Sequence, residues 1–589
     1  MNGMKMKDTA FKKKTLKNKI TAVFCLIVLL PALFLPGIKA DADTTMKAPE
    51  PSYYCDKGEV QAESVDTLCN WGGASALFVW VSLMQLSEQG KISPTDAATD
   101  YLPETFCAQA GFTEDFTILD LMNHTAGFQQ NQAGHILMSG EKFTSLEDWL
   151  ITNKTAQVYT PGAYMAYSDY GITLSAYVIE NVTGMSYTDY VHSHILEPLG
   201  MEYTSVYYDY SDNSFVKSSS PDGGTYLFGF YPAYSARGKL SDMALFVSAL
   251  MSKEDDELLK AKTKEEFFST SLQYRDASKM GDARCAHGMA VYYQFEKPVY
   301  GMYYADLNGT GAIYITEDRE SCAILYHHGA DGFDSVENAG LFGHLGYCDT
   351  GKKTFHNRLS DLEGSYIKAD TVIKGQYSFS SLFSVYTLKA LDDEHLALSA
   401  RPQDVYMTQI SSDSFQTADG EVGHFYSLSN GTRVIEFPYF DLISYPKWIQ
   451  TSKTILLVFY FIGLLYSSVV LLIAFIKLIV RLIKKQDAGV VPRFRKYHYI
   501  QSGVYLFHGI IFQMMAFSYM MGLNGGVAYT SKLMFYLGTV MSFVYGLFFF
   551  RNGMKEKCGK TEKEMYWITF FCGVLQIVFS AVFGLIFSK

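Results

Sequence analysis

Four long apolar stretches near the C-terminus constrain the fold of this chain more than any other feature. They are Thr454–Ile476, Tyr499–Leu523, Lys532–Phe550 and Met565–Phe587. The first holds 23 residues. As a helix it is about 35 Å long, enough to cross the ~30 Å hydrocarbon core of a bilayer. The sequence therefore predicts a membrane domain, residues 448–589, with four transmembrane helices.

The distribution of positive charge predicts how these helices are oriented. Basic residues cluster between the first two stretches and between the last two: Lys484, Lys485, Arg493, Arg495 and Lys496, then Arg551, Lys555, Lys557, Lys560 and Lys563. Loops rich in Lys and Arg stay in the cytoplasm. We therefore expect a multi-pass protein of the cell membrane with its large N-terminal part outside the cytoplasm.

The N-terminus supports export of that part. A cluster of lysines precedes the apolar run Ile20–Pro36, and a small-residue site, Ala40-Asp41-Ala42, follows it. This order is typical of a secretory signal peptide, residues 1–42, and an uncleaved N-terminal anchor is the alternative. Both place the following residues outside the cytoplasm.

Net charge separates the membrane-flanking parts from the exported part. The whole chain carries −11, made up of +6 in residues 1–42, −28 in 43–452 and +11 in 453–589. A strongly acidic middle is poorly suited to neutralising phosphates, so we predict no nucleic-acid partner.

Cysteines and intramembrane polar residues add weaker signals. Six of the nine cysteines lie in the exported part, where a Cys55–Cys69 bridge and free structural thiols are both open. The Cys and His spacing shows no metal motif, and we predict no cofactor. Gln501, His508 and Gln513 fall within the second apolar stretch, where interhelical hydrogen bonding is the favoured role.

Several short strings occur in a fixed order between Tyr53 and Asp331. They include Thr117–Phe128, Tyr167–Gly171, Val182–Tyr190, Glu197–Met201 and Leu240–Phe246. Together they resemble the serine β-lactamase and penicillin-binding-protein family of class C type. The resemblance implies an α/β domain beside an all-α domain, with the active site between them, over residues 43–355.

In that family a serine attacks a carbonyl and a lysine three residues later helps to deprotonate the serine. The resemblance places the serine position at Gly73 and the lysine position at Ala76. Ser75 lies two residues from Gly73 and about 200° around a helix, so it faces another direction. We also expect Ser82 to be buried in the helix core. Both catalytic groups are therefore missing at their expected positions.

The remaining motifs of the family have also changed. Tyr167 is kept in the Tyr-x-Asn element, but Asp169 stands in place of the asparagine. In the His-x-Gly strand, Met302 replaces the histidine and Tyr304 replaces the glycine. We predict a vestigial pocket formed by these positions with Gly73 and Ala76.

A pattern of short strands follows, and it predicts a small antiparallel β-barrel or sandwich over residues 356–447. Ser378–Val385 and His424–Leu428 are expected strands, with turns at Asp392-Asp393 and at Ser429-Asn430-Gly431. This domain is expected to act as a spacer between the cleft and the membrane.

Three functions remain open from sequence. The first is a non-catalytic binding or regulatory protein of the cell envelope, taking a peptide, a peptidoglycan fragment or a protein in its cleft. The second is an active serine hydrolase or peptidase acting on peptidoglycan peptides or on a secreted peptide prodrug. The third is a transporter or immunity-type membrane protein with an accessory exported domain. The missing serine and lysine favour the first.

Overall fold

The structure is a computed structural model of the full chain. It describes residues 52–586 except 133, 138–142, 208–226, 276–282, 294–297, 306–308, 329–357, 401–402, 418–419, 486–492 and 523–525. The predicted signal segment 1–42, Asp331 and the expected boundary between residues 355 and 356 lie outside the described residues.

The N-terminal domain is built on an eight-stranded antiparallel sheet with strand order β2-β1-β12-β11-β10-β9-β8-β7. Its strands are β1 (Ser52–Asp56), β2 (Glu59–Glu63), β7 (Leu272–Gln273), β8 (Ala283–Ala286), β9 (Met289–Tyr292), β10 (Val299–Ala305), β11 (Gly309–Thr316) and β12 (Ser321–His328). Two short ribbons accompany it: β3 (Leu68–Asn70) with β6 (Arg237–Lys239), and β4 (Ile136–Leu137) with β5 (Leu227–Phe228). Strand β1 thus pairs with β12, far along the sequence, and β2 adds to its other edge.

Helices fill the rest of this domain. The described ones are α1 (Ala76–Glu88), α2 (Glu104–Ala110), α3 (Ile118–Met122), α4 (Leu146–Thr152), α5 (Asp169–Thr183), α6 (Tyr187–Val191), α7 (Tyr231–Tyr234), α8 (Leu240–Met251) and α9 (Ala261–Phe267). Every residue of α1 from Ala76 to Leu86 is buried, as expected for a helix that is apolar on all sides. Ser82 is among them, as predicted, and its hydroxyl donates to the carbonyl of Phe78. This central helix fixes the position of the turn that precedes it.

The described cysteines of this domain are free thiols, including both members of the suggested Cys55–Cys69 bridge. Cys55 instead lies opposite Cys322 on the paired strands β1 and β12.

A closed eight-stranded antiparallel barrel follows, which decides between the barrel and the sandwich. Its strands are β13 (Gly364–Lys368), β14 (Val385–Ala390), β15 (His395–Ala400), β16 (Gln403–Gln409), β17 (Ser414–Thr417), β18 (Val422–Ser427), β19 (Arg433–Glu436) and β20 (Asp441–Ser444). The expected strand Ser378–Val385 is wrong over most of its length, because Ser378–Leu382 forms a 3₁₀ turn. The physical reason is that the aromatic side chain of Phe379 is buried against the C-terminal helices and not in a sheet.

Four long helices complete the chain: α10 (Lys447–Ile483), α11 (Arg493–Met520), α12 (Gly526–Arg551) and α13 (Lys560–Val582). All four are long and apolar enough to cross a membrane, which fits the predicted membrane embedding. The orientation predicted from the basic loops stays a prediction.

Polar side chains within the bundle join its helices. Gln501 donates to Ser542, which donates to Gln576, and these three residues lie on α11, α12 and α13. His508 lies 2.6 Å from the Tyr460 hydroxyl and 2.9 Å from the Ser580 hydroxyl. These contacts agree with the interhelical role predicted for Gln501 and His508. Gln513 differs, because it is exposed on the bundle surface.

Candidate functional site

A cavity of about 320 Å³ lies where the N-terminal domain meets the barrel. The N-terminal domain contributes Gly73, Tyr167 and Met302, three of the predicted pocket positions. The barrel side contributes Lys368 and Asp370, together with residues 438–440. The cavity therefore brings together residues of the predicted motifs and residues of the barrel side that belong to none of those motifs.

At Gly73 the cavity wall is formed by backbone atoms, because glycine has no side chain. Gly73 belongs to the 3₁₀ turn Gly72–Ser75, which leads directly into α1. Ala76, the first residue of α1, has no exposed surface and does not line the cavity. The Ser75 hydroxyl, also buried, accepts a 2.9 Å hydrogen bond from the backbone N–H of Ala236. This serine thus holds a neighbouring segment in place and is not presented to the cavity.

Tyr167 and Asp169 lie at the start of α5, where Ser168 caps the helix by accepting from the N–H of Gly171. Tyr167 lines the cavity, but Asp169 is fully buried behind it. The Asp169 carboxylate accepts from the side chain of Gln130 and lies 2.8 Å from Nε2 of His135. Asp169 is therefore held in an internal polar cluster and does not form part of the cavity wall.

Strand β10 forms the opposite side. Gly301, Met302 and Tyr303 line the cavity, and an added Cβ at Gly301 would approach Cδ1 of Tyr314 to 2.6 Å. Tyr304 pairs with Gly311 in the sheet, and its side chain lies outside the described part. Met302 has no hydrogen-bond donor to offer a bound carbonyl.

Several cavity residues were not singled out as pocket positions. His124 packs its ring 4.8 Å from that of Tyr167, and burial lowers its pKa to about 4. Within the described structure, His124 Nδ1 is buried without a hydrogen-bond partner. Cys285 also lines the cavity, and burial raises the pKa of its thiol to about 11. His124 lies in one of the family-like strings, which offered a signal; no local pattern marks Cys285.

The barrel side of the cavity carries two ionisable residues, Lys368 and Asp370. Lys368 ends β13, and its ammonium lies 4.6 Å from the ring centre of Phe440, another cavity residue. Asp370 follows two residues later, and burial raises the pKa of its carboxyl. Nothing in the local sequence of a barrel strand predicts that it faces a cleft formed by residues far upstream.

A buried ionic cluster fastens the barrel to the N-terminal domain. Arg284 on β8 is 2% exposed, and its Nη2 lies 2.5 Å from Asp441 Oδ1. Its Nη1 lies 3.5 Å from Glu436 Oε1. Its guanidinium also donates to the carbonyls of Phe437 and Phe440. The barrel thus forms one wall of the cavity, which the expected role as a spacer does not include.

Comparison with known proteins agrees with the fold. Residues 50–353 match the family model described as Beta-lactamase. Among curated proteins, a putative penicillin-binding protein, PbpX, of Bacillus subtilis is 27% identical over 139 residues, 24% of this chain and 33% of that protein. A putative D-alanyl-D-alanine carboxypeptidase of Escherichia coli is 30% identical over 139 residues, 21% of this chain and 30% of that protein. The chain thus spans about a third of the length of these curated relatives.

Among solved structures, the octameric penicillin-binding protein homologue from Pyrococcus abyssi is 16% identical, with a TM-score of 0.40, covering 67% of this chain and 95% of the other. SurE is 15% identical, with a TM-score of 0.46, covering 67% and 94%. The predicted class of fold, a β-lactamase-like domain followed by a small antiparallel β domain and four apolar helices, is confirmed. Within the residues that the structure describes, none of these domains is a nucleic-acid-binding fold. Among the described residues no group of His, Cys, Asp and Glu is arranged to hold a metal ion.

Proposed function

The chain belongs to the Beta-lactamase family, and from that premise we propose that its cleft binds a ligand at the cell envelope without forming a covalent bond to it. One observation carries this proposal. The turn that would present the attacking serine presents the backbone of Gly73, and the lysine position, Ala76, is sealed inside the core.

No other described group in the cavity supplies a ready nucleophile. The thiolate is the nucleophilic form of cysteine, and the raised pKa of Cys285 keeps that group a thiol at neutral pH. Burial also raises the pKa of the Tyr167 hydroxyl well above its ordinary value. Neither group is therefore activated as a nucleophile by a lowered pKa.

The cavity retains what binding requires. Its volume is near the lower end of the usual range for small-molecule sites, about 300–1,000 Å³. Aromatic side chains, Tyr167, Tyr234, Tyr292 and Tyr439, line it beside the Lys368 ammonium. We infer a ligand with an apolar or aromatic body and a negatively charged group placed near Lys368. The D-alanine end of a peptidoglycan peptide stem offers such a carboxylate, next to small apolar methyl groups.

Titration of the full-length protein in lipid nanodiscs with a synthetic peptidoglycan stem pentapeptide tests the proposal. We expect saturable binding, intact peptide after prolonged incubation, and no mass added to the protein. Lys368→Met is expected to weaken binding by about 10- to 100-fold, since a charge-assisted hydrogen bond contributes about 1.5–3 kcal/mol.

Lys389→Met is the matched control, because Lys389 is exposed on the same barrel and does not line the cavity. Cleavage of the peptide or an acylated protein would contradict the non-catalytic function. Failure to bind at millimolar peptide would contradict a pentapeptide ligand.

A further inference from the structure

The segment that connects β13 to β14, residues 369–384, runs from the cavity to the four-helix bundle, and we call it the bridge segment. At its start, Asp370 lines the cavity two residues after Lys368. Farther along it, Val372, Tyr377 and Phe379 are buried in one cluster with residues of the long helices. Two positions separate Asp370 from Val372 and seven separate it from Tyr377, so the cavity wall and the bundle contacts lie on one short stretch of chain.

Aromatic contacts hold the bridge segment on the bundle. The Tyr377 ring stacks on Tyr519 of α11, with centroids 4.5 Å apart and planes at 24°. Phe379 meets the edge of Phe512 at 5.3 Å. An added Cβ at Gly584, just after α13, would lie 2.6 Å from the carbonyl oxygen of Gly375. Such close packing has few intermediate arrangements, so a shift of the segment moves the helix ends or breaks the contacts.

A second set of contacts, made by the loop that contains Gln129, Gln130 and Ile136, also connects the cleft to the bundle. The backbone N–H of Gln130 donates to the carbonyl of Asp370, while its side chain binds Asp169 beneath Tyr167. The neighbouring Gln129 side chain accepts from the N–H groups of residues 373 and 374 and donates to the Lys374 carbonyl. Farther along the same loop, the N–H of Ile136 donates to the carbonyl of Gly522 at the end of α11, at 2.7 Å. The loop thus contacts the cleft, the bridge segment and the bundle.

The contacts continue into the polar layer of the bundle. Phe512 packs on Phe579, with centroids 5.0 Å apart, and Phe579 stacks on Tyr460 at 3.8 Å. Tyr460 is the residue whose hydroxyl lies 2.6 Å from His508. Side chains from α10, α11 and α13 therefore meet directly below the bridge segment.

We propose that the protein is a receptor whose four helices transmit the state of the cleft. Ligand binding in the cleft displaces the bridge segment, and this displacement changes the packing of the C-terminal ends of α11 and α13. The proposal rests on the proposed function for its ligand. Independently of the ligand, it requires that the bridge segment packs against both the cleft and the bundle. Coupling between two sites is reciprocal, so a change at the bundle must also alter the cleft.

The reverse direction supplies a test that needs no ligand. A cysteine introduced at the partly buried cavity position by Met302→Cys reports access to the cleft through its labelling rate with fluorescein maleimide, in full-length protein in nanodiscs. The protein without this substitution gives the background from native thiols. Tyr519→Ala, which removes the ring under Tyr377, is expected to speed labelling by a factor of about 2 to 30.

Tyr377→Ala is expected to produce a similar acceleration, and the double variant little more, because both changes break one contact. Phe507→Ala, on the exposed surface of the same helix, is the matched control and should leave the rate unchanged. Should Tyr519→Ala fail to assemble, Phe512→Leu removes the ring beside Phe379 and keeps most of the buried volume.

Equal labelling rates in the assembled bundle variants and the reporter protein would overturn the coupling. That result would leave ligand binding untouched, whereas a failed pentapeptide titration would leave the coupling intact. The two proposals can therefore fail separately.

Discussion

Replacing Arg284 with methionine is expected to lower the free energy of unfolding by about 3–5 kcal/mol, because it leaves two buried carboxyl groups without the guanidinium that pairs with them. Glu436 and Asp441 are 3% and 1% exposed, so water cannot replace the lost guanidinium. Chemical unfolding of the full-length protein in detergent measures the loss, and limited proteolysis reports release of the barrel.

Arg358→Met is the matched control, since Arg358 is exposed, and its effect should stay within about 0.5 kcal/mol. Adding Glu436→Gln and Asp441→Asn to Arg284→Met should recover part of the loss, because the uncompensated charges are then gone. A loss below 1 kcal/mol in Arg284→Met would contradict the role assigned to the cluster.

The same cluster gives the parent protein a pH signature. Burial, aided by repulsion from Asp441, raises the pKa of Glu436 from 4.5 to about 7, against the attraction of Arg284. Between these values the folded protein keeps a proton that the unfolded chain releases. This stabilising contribution is fully present below pH 4.5 and is lost as the pH rises towards about 7. Glu436→Gln should remove that slope.

Restoring the two lost groups is expected to create acylation where there is none. The double variant Gly73→Ser with Ala76→Lys places a hydroxyl on the cavity wall and an amine three residues later, at the first residue of α1. We expect a fluorescent penicillin to label this variant above background, with a gain well short of the about 10⁶-fold that separates a complete site from one without its nucleophile. The altered positions Asp169 and Met302 account for the shortfall.

Gly73→Ser alone and Ala76→Lys alone should remain near the parent rate, because nucleophile and base act as a unit. Ser82→Ala serves as a further comparison, since Ser82 is buried within the same helix and does not line the cavity. Measurable acylation at the same rate in the parent and the double variant would contradict this prediction, because acylation would then not depend on positions 73 and 76.

The sequence predicts the parts of this site that local motifs carry. Gly73, Tyr167 and Met302 come from three distant strings, and the structure brings all three to one cavity. Their roles remain predictions, because geometry alone does not test them. Ala76 and Asp169 lie behind the wall: helix packing buries the first, and Gln130 with His135 surrounds the second.

What the sequence does not predict comes from contacts between distant segments. Lys368 and Asp370 enter the cavity because Arg284 and the barrel residues Glu436 and Asp441 hold the barrel against β8. The sequence predicts a strand over Ser378–Val385, yet Phe379 in that stretch is buried against the long helices and not in a sheet. Periodicity records which residues are buried, but not which partner buries them.

The central claim, that this cleft binds without acylation, is tested most directly by exposing the full-length parent protein to a fluorescent penicillin and to a fluorophosphonate probe. An active penicillin-binding protein serves as the positive control and the heat-denatured chain as the background. We expect no covalent adduct above background with either probe. An adduct on the parent protein that a single cavity substitution such as Tyr167→Phe abolishes would contradict it.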